Sequence, residues 1–160
     1  MAVEDTFTGA KSGLTFLNAY SNTVAQAIGE EQALALETTT CEALGAAQGM
    51  MIKEQTGVEE FDAKASSQVL SNLIEEGFGI LSEVVEESPQ GVKLKVGRCP
   101  VYEAAQELGM DAEAIEASCR ATSIRFMDAV TKQLNPKLSY QLTKFLSGAD
   151  GFCEEVIVLA

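Results

Sequence analysis

The chain contains no histidine, and that absence removes more chemistry than any other feature of its composition. Ser-His-Asp and Cys-His catalysis, histidine-ligated zinc and a histidine-held haem all need an imidazole. Acid–base work must fall to carboxylates, lysine, tyrosine or a perturbed thiol, and any metal site to thiolates, oxygens or water. Basic residues are scarce as well. The 11 Lys and Arg stand against 24 Asp and Glu, for a formal charge of -13. Such a surface repels phosphate backbones and anionic bilayers, so neither a nucleic-acid nor a membrane partner is expected. The tightest basic group, Lys93, Lys95 and Arg98, reads as one solvated strand face. No apolar run approaches the roughly 18–20 residues of a membrane span, and the opening "MAVED" lacks the basic and apolar regions of a signal peptide. These absences point to the cytoplasm, where four cysteines are thiols or metal ligands rather than disulfides.

What is present reads as one domain spanning residues 1–160, long enough for a hydrophobic core without staples. In the first half the apolar residues follow helical spacing. Over residues 5–28, Phe7, Ala10, Leu14, Leu17, Val24 and Ile28 recur on one face. A second helix fits residues 30–55 and carries Cys41, with Gly45 and Gly49 four residues apart. Each glycine costs ~1 kcal/mol of helix propensity, so a close backbone approach is expected there, within the chain or across a homodimer. A third helix runs over residues 62–76 with Asp62 as its N-cap.

Strand character begins after Gly79. Residues 80–87 and 92–98 form a hairpin turned at Pro89-Gln90-Gly91, with Val92, Leu94 and Val96 facing inward. Helices are expected over 101–108 and 111–134, the second stopped by Asn135-Pro136, and strands over 138–146 and 152–159. The order predicts an α+β fold, N-terminal helices packed on a mainly antiparallel four-stranded sheet made of two hairpins.

The cysteines are the chemistry. Cys99 ends a strand and is followed by Pro100, Cys119 lies within a helix, and Cys153 follows a hairpin turn. Three thiolates plus an oxygen suit zinc, and three thiolates also hold an iron–sulfur cluster with one open iron. Without a metal, the same trio offers a nucleophilic thiolate activated by Arg98 or a helix N-terminus. The bland alternative is three small buried apolar residues, the reading also preferred for Cys41. Of the carboxylates Glu103, Glu116, Asp150, Glu154 and Glu155, most read as solvated surface acids. Glu116 stands out for its one-turn spacing to Cys119.

Arg98-Cys99-Pro100, Glu103, Leu108-Gly109, Cys119, Asn135-Pro136, Gly148, Asp150 and Cys153 together resemble the L-2-amino-thiazoline-4-carboxylic acid hydrolase-like family. The same ending looks like the vinyl-reductase-type small-ligand domains, some of which carry a structural zinc on cysteines and a glutamate. The resemblance implies a compact α+β fold, hydrolytic opening of a sulfur-containing ring, and a site on Cys99, Cys119 and Cys153. Three functions follow. The first is a metal or iron–sulfur centre on those cysteines, used for ligand binding, redox or sulfur chemistry. The second is a hydrolase of a small sulfur-containing ring. The third is an interaction module that binds a protein partner and forms a homodimer through the Gly45/Gly49 helix. Whether Cys41 or Glu116 completes the site stays open.

Overall fold

The computed structural model describes residues 2–146 and 151–159. Three helices open the chain: α1 (Val3–Ile28), α2 (Glu30–Thr56) and α3 (Ala63–Phe78). Then come β1 (Ser82–Ser88) and β2 (Gly91–Val96), helices α4 (Pro100–Glu107), α5 (Ala112–Ala121) and α6 (Ser123–Leu134), and strands β3 (Leu138–Lys144) and β4 (Cys153–Leu159). The sheet is antiparallel throughout, in the order β1-β2-β4-β3. The two hairpins therefore lie side by side, with β2 and β4 at the centre. This is the α+β arrangement expected from the patterning.

Local chemistry sets most boundaries. The Asp62 carboxylate accepts from the Ala65 amide at 2.7 Å, and that of Asp111 from the Ala114 amide at 2.8 Å, so α3 and α5 begin where predicted. Pro100 occupies the first turn of α4, where its missing N–H costs nothing. Gly79 ends α3 with φ +66, and a Cβ there would meet the Phe7 nitrogen of α1 at 2.6 Å. Only glycine satisfies both demands. Buried Asn135 donates to the Phe61 carbonyl at 2.8 Å and accepts from the Lys137 amide at 2.9 Å, which accounts for its place in the interior.

Two expectations are corrected. The predicted helix over 111–134 is two helices, because Thr122 (φ -117, ψ -80) leaves the helical region between α5 and α6. The strands are also shorter than predicted: β1 starts at Ser82, β2 ends at Val96 and β3 ends at Lys144. The turn containing Gly148 and Asp150 lies outside the described residues.

The core joins Leu94 and Val96 of β2, Leu138 and Leu142 of β3 and Ile157 of β4 to Leu70 of α3 and Val130 and Leu134 of α6. Lys93 and Lys95 face outward and pair with Glu86 and Glu83 at 3.7 and 4.0 Å, as a wet strand face should. Gly45 and Gly49 are buried, and the backbone they admit is that of α6 in the same chain. A Cβ on Gly45 would strike the Phe126 carbonyl oxygen; one on Gly49 would lie 2.6 Å from Gln133 Cβ and 2.9 Å from the Val130 carbonyl oxygen. The glycine pair thus makes an internal contact and offers no face to a second copy.

The contrast with an unconfined glycine gives a test. Gly13 sits in α1 with nothing within 4 Å of its hypothetical Cβ. Gly45→Ala is expected to lower the unfolding free energy by about 1–3 kcal/mol through overpacking. Gly13→Ala should raise it by about 0.5–1 kcal/mol through helix propensity. Urea denaturation of the two variants beside wild type measures both signs.

Candidate functional site

The parity of β4 fixes what enters the interior. Cys153 stands opposite Val96, and Glu155 opposite Leu94 on one side and Leu142 on the other. Both partners of Glu155 belong to the buried core, so its carboxyl is carried to the sheet face covered by helices. Two residues on, Ile157 is wholly buried opposite Tyr140. The Tyr140 hydroxyl donates a hydrogen bond to Glu155 Oε2. Cys153 is buried, and its sulfur accepts from the Leu146 amide at 3.2 Å.

The helices supply the remaining groups. On α5, Ile115 and Cys119 are one turn apart and share the inward face; Ile115 is buried and Cys119 partly so. Cys99 is the N-cap of α4 and packs, partly buried, against the core. The amides of Val101 and Tyr102 favour its anion, although no closed capping hydrogen bond forms. Cys99, Cys119, Cys153, Glu155 and Tyr140 bear on one another electrostatically across this interior.

Their proton affinities move the same way. Desolvation is the first cause in every case. It raises the Cys99 thiol above its ordinary value, outweighing the two helix amides. Cys119 is raised strongly by burial and then by the charges of Cys99, Glu155 and Cys153, with Arg120 opposing. Cys153 is pushed up to about 11 by burial, against the Leu146 amide. Burial likewise raises Tyr140 well above the phenol value, and Glu155 above the carboxylate value against the Tyr140 hydrogen bond. The interior favours the protonated forms. Burial of Cys99 works against the activated thiolate there. Arg98, the proposed activator, is engaged elsewhere. It donates to Glu4 at 2.8 Å and Glu103 at 2.9 Å and stacks 3.9 Å over the Phe7 ring.

The other expected residues fall outside the cluster. Cys41 is partly buried on α2, and the charges that bear on it are Glu37 and Glu42. Glu103 ties α4 to Arg98 and Lys11. Glu116 is bound to Arg120 at 2.7 Å, although its charge reaches Cys153. Among the described residues no group of three or more Cys, Asp or Glu closes around a metal ion. Sequence reasoning preferred Glu116 to Glu155 and overlooked Tyr140. The strand period held the signal, since a buried Cys153 implies an inward Glu155 two residues later.

A family model described as L-2-amino-thiazoline-4-carboxylic acid hydrolase matches residues 10–154. No protein of curated function matches the sequence. Among solved structures, the phenol-responsive sensory domain of the transcription activator PoxR with phenol is similar at a TM-score of 0.68 and 11% identity, over 91% of this chain and 74% of that one. Trafficking protein particle complex subunit 3 from Naegleria fowleri, covalently bound to palmitic acid, is similar at 0.58 and 14% identity, over 94% and 96%. At these identities the likeness is one of fold.

Glu155 yields a pH test. Its carboxyl holds a proton more tightly when folded than when unfolded, so its contribution to stability is present below the ordinary carboxylate value of 4.5 and is lost as pH rises through the raised value. Glu155→Gln keeps an acceptor for Tyr140 and removes the ionisation. Its stability relative to wild type should improve between about pH 4 and about pH 8, measured by urea denaturation at both. A constant difference would show that Glu155 does not titrate in a desolvated site.

Proposed function

From the premise that the chain belongs to the L-2-amino-thiazoline-4-carboxylic acid hydrolase family, we propose that it binds a small sulfur-containing ring and opens it hydrolytically at the Glu155 cluster. The observation that carries this reading is the buried Glu155 carboxyl, hydrogen-bonded by buried Tyr140 and raised in proton affinity. A carboxyl poised above its ordinary range suits both halves of a proton relay. Water adds to the ring carbon that lies between sulfur and nitrogen, giving one proton to ionised Glu155, while the carbon–nitrogen π pair goes to the ring nitrogen. The carbon–sulfur bond then breaks, its electron pair goes to sulfur, the now protonated Glu155 returns a proton to that sulfur, and the remaining hydroxyl proton passes to the ring nitrogen. The product carries a free thiol and a urea, and the enzyme ends as it began. Tyr140 holds the carboxyl in place. The cysteines, kept as thiols, form a soft, weakly polar wall suited to a sulfur heterocycle, and none has to act as a nucleophile.

The test is incubation with 2-amino-thiazoline-4-carboxylate, following new thiol with a colorimetric reagent that is corrected for the protein's own cysteines. Wild type should release thiol, and Glu155→Gln should lose roughly 10²–10⁴ in kcat while retaining its circular dichroism spectrum. A wild type without turnover, or a Glu155→Gln variant with full turnover, rules the reading out.

The donor set favours a second reading. Cys99, Cys119, Cys153 and Glu155 supply the three sulfurs and one oxygen that suit zinc, and the three thiols alone would serve an iron–sulfur cluster. As arranged, these side chains do not close around an ion. Binding would require them to turn inward and the thiols to lose protons, so no catalytic step above depends on a metal. Metal and sulfide analysis of anaerobically isolated protein decides this. Near-stoichiometric zinc or iron that disappears in Cys119→Ser would support the centre, and only trace metal would remove it.

A further inference from the structure

We infer that Asp128 of α6 is a positioning residue for the Glu155 site, holding the Tyr140 backbone where the Tyr140 hydroxyl meets the Glu155 carboxyl. The inference rests on the reading above in taking Glu155 as the reacting group. Asp128 Oδ1 accepts from the Tyr140 amide at 2.9 Å, and the Tyr140 hydroxyl donates to Glu155 Oε2. Both ends of Tyr140 are therefore committed to carboxyl groups, one on a helix and one on the neighbouring strand. β3 is the last strand of the sheet and pairs with β4 alone. On such an edge the backbone groups of alternate residues point away from the ladder and need another partner.

Side chains of two helices supply those partners. Asp128 takes the Tyr140 N–H, and two residues along the strand the Leu142 carbonyl accepts from Arg120 of α5 at 3.0 Å. Tyr140 and Leu142 are the residues of β3 that meet Glu155, one through its hydroxyl and the other as cross-strand partner. The clamp thus falls on the part of the edge strand that matters to the carboxyl. Lys132 binds the second Asp128 oxygen at 2.7 Å, as in any i, i+4 pair on a helix surface. Asp128 differs from a surface acid in being only 15% exposed and in spending its first oxygen on a strand. Helix α6 is itself seated, because Gly45 and Gly49 of α2 admit the carbonyls of Phe126 and Val130 on either side of Asp128.

Asp128 acts through geometry rather than through its own charge. Among the described residues, burial raises the proton affinity of Glu155 and the Tyr140 hydroxyl lowers it. The other titratable groups of this interior, Cys99 of α4, Cys119 of α5 and Cys153 of β4, feel the charge of Glu155 and are themselves raised first by burial. Tyr140 is thus the influence on Glu155 that favours its ionised form. A Tyr140 backbone released from Asp128 lets the hydroxyl move off the carboxyl, and Glu155 then holds its proton more tightly.

The experiment follows the Glu155 carboxyl directly, by NMR of protein labelled at its glutamate carboxyls, with the resonance assigned by its absence in Glu155→Gln. In Asp128→Ala the titration midpoint should lie about one pH unit above that of wild type. Asp128→Asn keeps an oxygen for the Tyr140 amide and should bring the midpoint back. Where Asp128→Ala does not fold, Asp128→Ser takes its place, since its hydroxyl ends one bond short of the carboxylate oxygens. Asp62→Ala removes a carboxylate-to-amide bond at the start of α3 and should leave the midpoint unmoved. A midpoint unchanged in Asp128→Ala or Asp128→Ser, moved as far by Asp62→Ala, or not restored in Asp128→Asn overturns the positioning role. Turnover of 2-amino-thiazoline-4-carboxylate across the same pH range separates this inference from the reading it rests on. The expected midpoints without wild-type turnover uphold Asp128 and end the hydrolytic reading. Turnover with a midpoint that ignores Asp128 does the reverse.

Discussion

The register of β4 is the constraint on which the rest of the site depends. A strand has a period of two, so a slip of one residue would exchange every inward side chain for an outward one. Ile157, wholly buried, and Cys153, nearly so, pin the phase at both ends of the strand. Glu155 lies between them and has no choice of face. β4 is also a central strand, paired on both sides, so moving Glu155 outward would break two ladders. A carboxyl that would be unfavourable in this place on its own account is held there by the apolar residues flanking it.

The surroundings then decide what form the carboxyl takes. A buried carboxylate ordinarily survives by pairing with a cation or by collecting hydrogen bonds. Glu155 has Tyr140 as its donor, and burial outweighs that hydrogen bond and raises its proton affinity. Burial is the largest cause of the raised proton affinity of each of these groups, and the Tyr140 hydrogen bond alone supports the ionised form of Glu155. Surface ion pairs nearby have a different role. Arg98 and Lys11 join α4 to α1 through Glu4, Glu103 and Glu107. These contacts are exposed enough that each contributes little stability, yet together they fix the angle at which α4 presents Cys99.

The elements were legible where one local signal dominated. Strict alternation in "VKLKVG", the cap Asp62 and the stop at Asn135-Pro136 each named a boundary by itself. The Thr122 break was not legible, because "CRATSIRFM" carries neither glycine nor proline and its apolar spacing runs on across the joint. The site was half legible. Cys99, Cys119 and Cys153 were legible as cysteines at element ends and on a helix, but their burial was not, since a sequence gives no measure of desolvation. Glu155 does not stand out, because "CEEV" shows two adjacent acids, and in a chain this acidic neither looks chosen. Its partner Tyr140 lies across a ladder from Ile157, a relation that exists only after the hairpins pair.

The two glycines of α2 connect the scaffold to this chemistry. By admitting the backbone at Phe126 and Val130 they seat α6 against α2 at close range, and α6 in turn covers β3. Helix α5 is joined to that fixed body through one residue. Thr122 turns the chain, while its hydroxyl and amide donate back to the Ser118 carbonyl at 2.8 and 2.9 Å, so the joint bends without leaving the end of α5 unbonded. Arg120 supplies the second tether through the Leu142 carbonyl of β3. A short helix held at its end and again across to the sheet has little freedom to rotate. Cys119 and Arg120 are adjacent in sequence and about 100° apart around the helix axis. One orientation of α5 therefore sets both the partly buried Cys119 and the Arg120 guanidinium that reaches Leu142.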